Sequence, residues 1–214
     1  MKIGVVIPAF GDWYIRKSAD AVDSVMGLVV PDGVEVVWQV IEDVDNVSVA
    51  RNQGAKHMLA KDADWLIFLD ADDLLDPGYV EKALPYMDLV DLIQPATCGF
   101  YPDGSTDEEP NLIEPARSFL QRNHIVIGAP VRASLFEEVG GFNDLPVLED
   151  WDLWIRVMLA GGVVYESPGS IYWVGVNPKG RNLVGQGGGS ADHRSTYSHI
   201  RSRYAPEWRK KGLR

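Results

Sequence analysis

Three carboxylates, Asp70, Asp72 and Asp73, directly follow an apolar run that begins at Trp65. Such a run predicts a buried strand, and open α/β sheets bind ligands beyond the carboxyl ends of their strands. Carboxylate oxygens suit Mg²⁺ or Mn²⁺, and such an ion commonly meets one or two protein carboxylates together with substrate phosphates. The cluster is therefore a candidate site for a metal ion and a phosphate. The alternative is that these acids are only polar residues of a loop after a buried strand.

A second pair of acids, Glu149 and Asp150, opens a segment with apolar residues at helical spacing, which Gly161 ends. A carboxylate held at the start of such a helix and facing a cavity can take the proton from an attacking hydroxyl. The alternative is structural, because acids in the first turn of any helix complement its dipole. The pair is a candidate for general-base chemistry or for helix stabilisation.

The elements that must position these acids alternate, in the first half of the chain, between apolar strands and helical patterns. This order predicts a mostly parallel sheet wrapped by helices. The predicted strands there are 3–7, 34–41, 65–69 and 89–94, and the predicted helices are 47–60 and 77–87. The second half has a loop over 101–115, strands at 125–127, 163–165 and 171–176, a short helix over 131–139, and the acidic helix.

The segment 177–190 is rich in glycine and has no apolar periodicity, so it predicts a mobile loop that could act as a lid. Arg181 lies inside it, where a guanidinium could clamp a diphosphate when the loop closes. The alternative for Arg181 is an ordinary solvated loop residue.

The net charge of −11 over 214 residues argues against general nucleic-acid binding, which needs a basic face. Residues 193–214 nevertheless carry a net +6, which leaves −17 on the rest of the chain. This asymmetry predicts either contact with an anionic acceptor or peripheral surface, or a solvated basic tail. The single cysteine, Cys98, favours a reducing cytoplasm, and no run reaches the roughly 18 apolar residues of a membrane helix.

Taken in order, these runs resemble the inverting family 2 glycosyltransferases of the GT-A fold. The resemblance covers most of residues 3–160. The motifs that carry it are Val5-Val-Ile-Pro8-Ala-Phe10, Val49-Ala-Arg51-Asn-Gln-Gly54, Phe68-Leu-Asp70-Ala-Asp72-Asp73, Gly140-Gly-Phe142 and Glu149-Asp150-Trp151-Asp152-Leu-Trp154.

The resemblance implies one α/β domain of GT-A type over 1–204, with a twisted, mostly parallel sheet, flanking helices and a flexible glycine-rich loop. A nucleotide-sugar half would span 1–98, an acceptor-side half 99–176 and the mobile loop 177–190, before a basic tail at 205–214. The implied activity moves a sugar, with inversion, from a UDP- or GDP-type donor to the hydroxyl of an acceptor glycan, lipid or protein.

The resemblance also assigns roles to single residues. Asp150 would be the general base, with Glu149 helping to hold the acceptor. Residues on the donor would be Pro8, Ala9, Phe10, Asp43, Arg51, Asp70, Ala71, Asp72 and Arg181. Residues on the acceptor would be Gly141 and Phe142, and the ring of Trp151, beside the proposed base, is a further candidate for stacking on a sugar. Mn²⁺ or Mg²⁺ would be held by Asp72 or Asp73, with His193 or His199 as a further ligand.

The chain departs from the family pattern after its second predicted strand. The family more often has Asp-Asp-Gly-Ser there, whereas this chain has Glu42-Asp-Val-Asp45-Asn46, so Glu42 or Asp43 is the candidate for contact with the base. Two other classes remain open. A haloacid-dehalogenase-like phosphatase also places two aspartates after a strand, although normally the first core strand. A nucleotide- or sugar-binding module without catalysis would retain the same fold.

Overall fold

The computed structural model describes residues 1–112, 119–176 and 191–213. The strands within them are β1 (Lys2–Ala9), β2 (Glu35–Glu42), β3 (Trp65–Phe68), β4 (Leu74–Leu75), β5 (Leu92–Phe100), β6 (Val131–Arg132) and β7 (Val164–Gly175). The helices are α1 (Asp12–Met26), α2 (Val47–Leu59), α3 (Tyr79–Met87), α4 (Ala133–Glu138), α5 (Glu149–Leu159) and α6 (Ala191–Lys210). None of these helices is both long and apolar enough to cross a membrane.

The strands form one mixed sheet, in the order β2-β1-β3-β6-β5-β7-β4 among the described residues. β1 pairs in parallel with β2 and β3, and β5 pairs in parallel with β7. The antiparallel pairs all involve β4 or β6, which have two residues each. The predicted α/β fold is therefore confirmed, with short antiparallel strands added to its parallel pairs.

The centre of the sheet brings the candidate site to one edge. β1 and β3 are apolar and almost wholly buried, and their parallel pairing places their carboxyl ends side by side. α2 packs closely over β1 because Gly54 has no side chain, and a Cβ at that position would overlap Val6. The residues after β1 and β3 and the first half of α2 therefore converge.

The helix α1 was not predicted from the sequence, and three predicted segments differ in the structure. Residues 125–127 are not a strand: Ile125 and Ile127 are buried in irregular backbone, and the pairing is made by β6 just beyond. The predicted strands 163–165 and 171–176 are parts of the single strand β7, because an irregular register opposite β5 accommodates the intervening residues. Residues 205–210 of the predicted tail continue α6, so the predicted boundary at 205 falls inside a helix. The predicted loop 177–190, with Arg181, lies outside the described residues.

Candidate functional site

Arg51 joins two acids that are far apart in the sequence. Its Nη2 lies 2.6 Å from Oδ1 of Asp70 after β3, and its Nη1 lies 2.6 Å from Oε1 of Glu149 at the start of α5. The side chain is only 3% exposed, and its guanidinium lies over the ring of Phe142. Burial lowers the pKa of Arg51, but the charges of Asp70 and Glu149 outweigh it and hold the pKa above its ordinary value. The cation is permanent at any working pH.

Asp150 has its carboxylate oriented by two donors. The side-chain amide of Asn123 donates to Oδ2 at 2.8 Å, and the backbone N–H of Trp151 donates to Oδ1 at 2.7 Å. The Oδ1 of Asn123 itself accepts from the N–H of Ile125, which determines which end of the amide faces Asp150. Burial and then the charge of Glu149 raise the pKa of Asp150 to about 7. A carboxyl group with that pKa can accept a proton near neutral pH.

The turn before α5 has unusual backbone geometry. Leu148 has φ 62°, in the left-handed region that a side chain with a Cβ rarely adopts, and it makes no side-chain cap. Such strain costs about 1–3 kcal/mol and persists only where the surroundings hold it. Asn52 of α2 helps to hold this region, because its side chain both accepts from and donates to the backbone of Phe142 at 2.9 Å. The strained turn thus delivers Glu149 to Arg51.

Asp72 and Asp73 have different surroundings despite being neighbours. Asp73 is 6% exposed, and its two oxygens accept from the hydroxyl of Tyr172 and the N–H of Gly175, each at 2.7 Å. Burial raises the pKa of Asp73 well above its ordinary value. Asp72 is partly exposed in a small open pocket with Lys17 of α1. Burial and then Asp70 raise the pKa of Asp72 to about 6. Asp73 thus ties β7 to the acidic loop, whereas Asp72 remains accessible.

The sequence predicts a metal ion held by Asp72 or Asp73, with His193 or His199 as a further ligand. Across the described ranges, no three His, Cys, Asp or Glu side chains are grouped so that they could hold a metal ion. His193 lies in α6, where its ring stacks beside that of Tyr197, and His199 is exposed on the same helix. Any ion held here would have to rely on Asp72, with Asp70 next to it, and on ligands supplied by a substrate.

The predicted nucleotide-contacting residues lie at the carboxyl edge of β1 and β2. The Phe10 side chain is 47% exposed, whereas Ala9 and Ala71 are buried and could contribute only backbone. Asp43 adopts φ 58° and donates its N–H to the carbonyl of Ala9, so this acid stands beside the end of β1. Pro8 is partly exposed in the same strand. The structure therefore brings these residues to one edge, as expected for parallel neighbours.

The predicted acceptor residues are mostly buried. Trp151 is 1% exposed, its indole N–H donates to the carbonyl of Phe119, and its ring stacks on Tyr197 with centroids 5.2 Å apart. A contact between Trp151 and an acceptor would require Tyr197 to move. Phe142 is 4% exposed and packs on Phe68. Gly141 has φ 69°, and a Cβ there would lie 2.6 Å from Oδ1 of Asn52, so its smallness serves packing.

Sequence reasoning missed Asn123, Tyr172 and Asn52. Each is a single polar residue that contacts the site through the fold rather than through a local motif. Asn123 lies in irregular backbone before Ile125, and Tyr172 reads as an ordinary strand residue. Asn52 lies within a recognised motif, directly after Arg51, but nothing in that motif predicts its contact with Phe142.

Comparison with known proteins matches part of this chain to a family model. The family model described as Glycosyl transferase family 2 matches residues 31–125. Those residues belong to a family 2 glycosyltransferase domain with a GT-A fold. The resemblance predicted from the sequence is confirmed, and the phosphatase alternative is not favoured. No curated protein matches the chain.

The glycosyltransferase domain is similar to solved structures of TarS from S. aureus. The complex of TarS residues 1–349 with UDP-GlcNAc superposes with a TM-score of 0.63 and 14% identity, over 86% of this chain and 61% of that one. The UDP complex gives a TM-score of 0.61 and 15% identity, over 83% and 61%. The chain thus spans less than two thirds of the TarS fragment, and at this identity the likeness establishes the fold.

The buried ion pairs generate a stability prediction. Replacing Arg51 with Ala leaves Glu149 and Asp70 without their cation, and breaking a buried pair in this way costs about 3–5 kcal/mol. Arg51→Ala should therefore lower the free energy of unfolding, measured by urea denaturation, by about that amount. Arg16→Ala, an exposed arginine of α1, is the matched control and should change it by less than about 0.5 kcal/mol.

If Arg51→Ala does not fold, Arg51→Lys provides the measurement, because lysine retains the charge but has no fork to reach both acids. Arg51→Lys should lower the free energy of unfolding by less than Arg51→Ala, but by more than the Arg16 control. Equal stability of the Arg51 and Arg16 variants would contradict a structural role for the ion pairs.

Proposed function

We propose that this chain transfers a sugar, with inversion, from a nucleotide-diphosphate donor to an acceptor hydroxyl, and that Asp150 is the general base. The observation that carries the proposal is the Asp150 carboxylate, which Asn123 and the Trp151 N–H orient and whose pKa burial raises to about 7. The family match and the UDP-bound structures with the same fold support a nucleotide-sugar donor. The buried single thiol of Cys98 is compatible with a reducing compartment, and we include the cytoplasm in the proposal.

The proposed reaction is a single in-line displacement at the anomeric carbon. Asp150 takes the proton of the acceptor hydroxyl as its oxygen bonds to that carbon, while the bond to the diphosphate breaks and the diphosphate leaves with its electron pair. Arg51 binds no substrate in this account. It places Glu149 and Asp70 on either side of one cation and so fixes the acceptor side against the donor side. One displacement inverts the anomeric configuration.

A divalent ion fits the proposed donor site only in part. A cage of three protein ligands is absent from the described residues, but Mg²⁺ is commonly held by one or two carboxylates together with substrate phosphates. Asp72 is accessible, and its raised pKa reflects burial and repulsion from Asp70 that a cation would relieve. We propose that Asp72 would hold Mn²⁺ or Mg²⁺ with the donor diphosphate. The ion would neutralise charge on the leaving group.

The first test replaces the proposed base. Asp150→Asn retains the shape of the side chain but cannot accept a proton, so transfer should fall by about 10²- to 10⁴-fold. Affinity for the nucleotide, measured by calorimetry, should be nearly unchanged. The free energy of unfolding at pH 8 should not fall. The pKa of Asp150 is raised in the folded state, so its ionised form destabilises the folded state at that pH. A folded variant that transfers at the normal rate would exclude Asp150 as the base.

The second test uses pH. Because Asp150 must be ionised to act, kcat/KM should rise with pH through about 7 and then level off. Asn123→Ala removes a donor that favours the ionised form, so the pKa should increase and the acid limb should move to higher pH. Asn143→Ala, which removes a similar hydrogen bond to Asp152, should leave the limb in place. The same shift in both variants would show that Asn123 does not act through Asp150.

The third test concerns the ion. UDP should bind the wild-type chain more tightly with Mn²⁺ than with EDTA. Asp70 and Asp72 repel the diphosphate when no cation lies between them and the phosphates. Asp72→Asn should reduce this difference, whereas Asp62→Asn, an exposed acid after α2, should preserve it. Calorimetry with both variants and both conditions gives the answer. Equal affinity for UDP with and without EDTA would remove the ion from the proposal.

A further inference from the structure

The second half of the last helix, α6, carries exposed cations around its solvent side. The basic face is defined here as Arg201, Arg203, Arg209, Lys210 and Lys211, all exposed in the second half of α6 or directly after it. None of the five forms an ion pair with a carboxylate in the described parts of the chain. Within the described ranges, Arg201 stacks over Tyr197 and Arg203 over Tyr204.

The opposite face of α6 is buried and holds the helix in place. Ile200, Tyr204 and Trp208 are at most 6% exposed, and the Tyr204 hydroxyl donates to Asp152 of α5 at 2.6 Å. Packing therefore uses the apolar face completely and leaves the basic face without a partner inside the domain. Five exposed like charges within eleven residues, with the single acid Glu207 among them, repel one another, so their arrangement gains nothing for the fold itself.

The basic face adjoins the element that holds the proposed base. Tyr197 stacks on Trp151, the residue after Asp150, and its hydroxyl donates to the carbonyl of Gln121 at 2.8 Å. Gln121 lies two residues before Asn123, which orients Asp150. The guanidinium of Arg201 contacts the hydroxyl and the ring of the same Tyr197. The basic face thus begins next to the segment that forms the proposed acceptor side.

We propose that the basic face of α6 binds a linear polyanion, and that the acceptor of the proposed transfer is a polymer carrying phosphate or a similar charge. Arg201 to Lys211 spans about 15 Å of helix, enough for several anionic groups of one strand. The cations of the basic face would release counterions from such a strand and hold it beside Asp150. The assignment of the polymer as an acceptor rests on the proposed function, whereas the binding of a polyanion does not.

The charge of the remaining chain favours a strand over a flat anionic membrane. Residues before 193 carry a net charge of −17, so the acidic surface around the basic face would repel a broad anionic membrane. No large hydrophobic side chain of α6 is exposed to enter a bilayer among the described residues. A strand lying along one helix avoids both difficulties, because its charges stay within a Debye length of the cations, about 8 Å at physiological salt.

The test measures binding of long-chain inorganic polyphosphate by the full chain at low and moderate salt. The variant Arg201→Gln, Arg209→Gln, Lys210→Gln should lose about 10- to 100-fold in affinity and show a weaker salt dependence. The matched control, Arg16→Gln, Lys56→Gln, Lys61→Gln, removes the same charge from exposed positions on α1, on α2 and just after it. It should lose less than about threefold. Both variants should retain the wild-type melting temperature.

Three outcomes would overturn the proposal. Equal losses in the two variants would mean that only net charge matters, and no measurable binding by the wild type at low salt would remove the site. Tighter, α6-dependent binding to vesicles of phosphatidylglycerol and phosphatidylcholine than to polyphosphate would assign the face to a membrane instead. Donor hydrolysis should be the same in both variants and the wild type. Its absence in all three would count against the proposed transfer and leave the polyanion result intact.

Discussion

The guanidinium of Arg51 is buried between two carboxylates that come from different parts of the chain, and the site depends on this arrangement. Removing a cation from water is expensive, and the cost is offset only when opposite charges and hydrogen bonds surround it closely. Asp70 and Glu149 supply both at 2.6 Å. The loop after β3 and the first turn of α5 therefore cannot separate without exposing a buried charge. This constraint fixes the loop after β3 against the start of α5.

The same arrangement leaves the site with an excess of negative charge. One cation serves Asp70 and Glu149, while Asp72 and Asp150 lie nearby without a comparable partner. Their pKa values of about 6 and about 7 record the cost of ionising them in this environment. Each has a different remedy that matches a step of the proposed reaction: Asp150 takes a proton from the acceptor, and Asp72 gains a cation together with the diphosphate. In the proposed reaction, the negative charge of these two carboxylates is therefore neutralised only when substrates bind.

The sequence predicted the parts of this site that arise from local patterns. Apolar runs followed by acids indicated strand ends at Asp70, and helical spacing placed Asp150 at the start of α5. The network between these parts could not be predicted, because contacts such as Asn123 with Asp150 connect residues that only the fold brings together. The role of Asp73 was also hidden. Its neighbours suggested metal binding, but burial under Tyr172 makes it an internal acceptor.

Short elements were the least predictable part of the fold for a related reason. β6 has two residues and exists because β3 and β5 offer it partners on both sides, so no local periodicity could reveal it. By contrast, α6 is long and amphipathic, yet its importance lies in what its buried face contacts. Tyr204 holds Asp152 and Tyr197 holds Trp151, the two residues that follow Asp150. Since Asn123 holds Asp150 and Arg51 holds Glu149, each of the first four residues of α5 is fixed by a contact from outside that helix. A carboxylate in such a frame has little freedom to reorient, which is the geometric requirement for a general base.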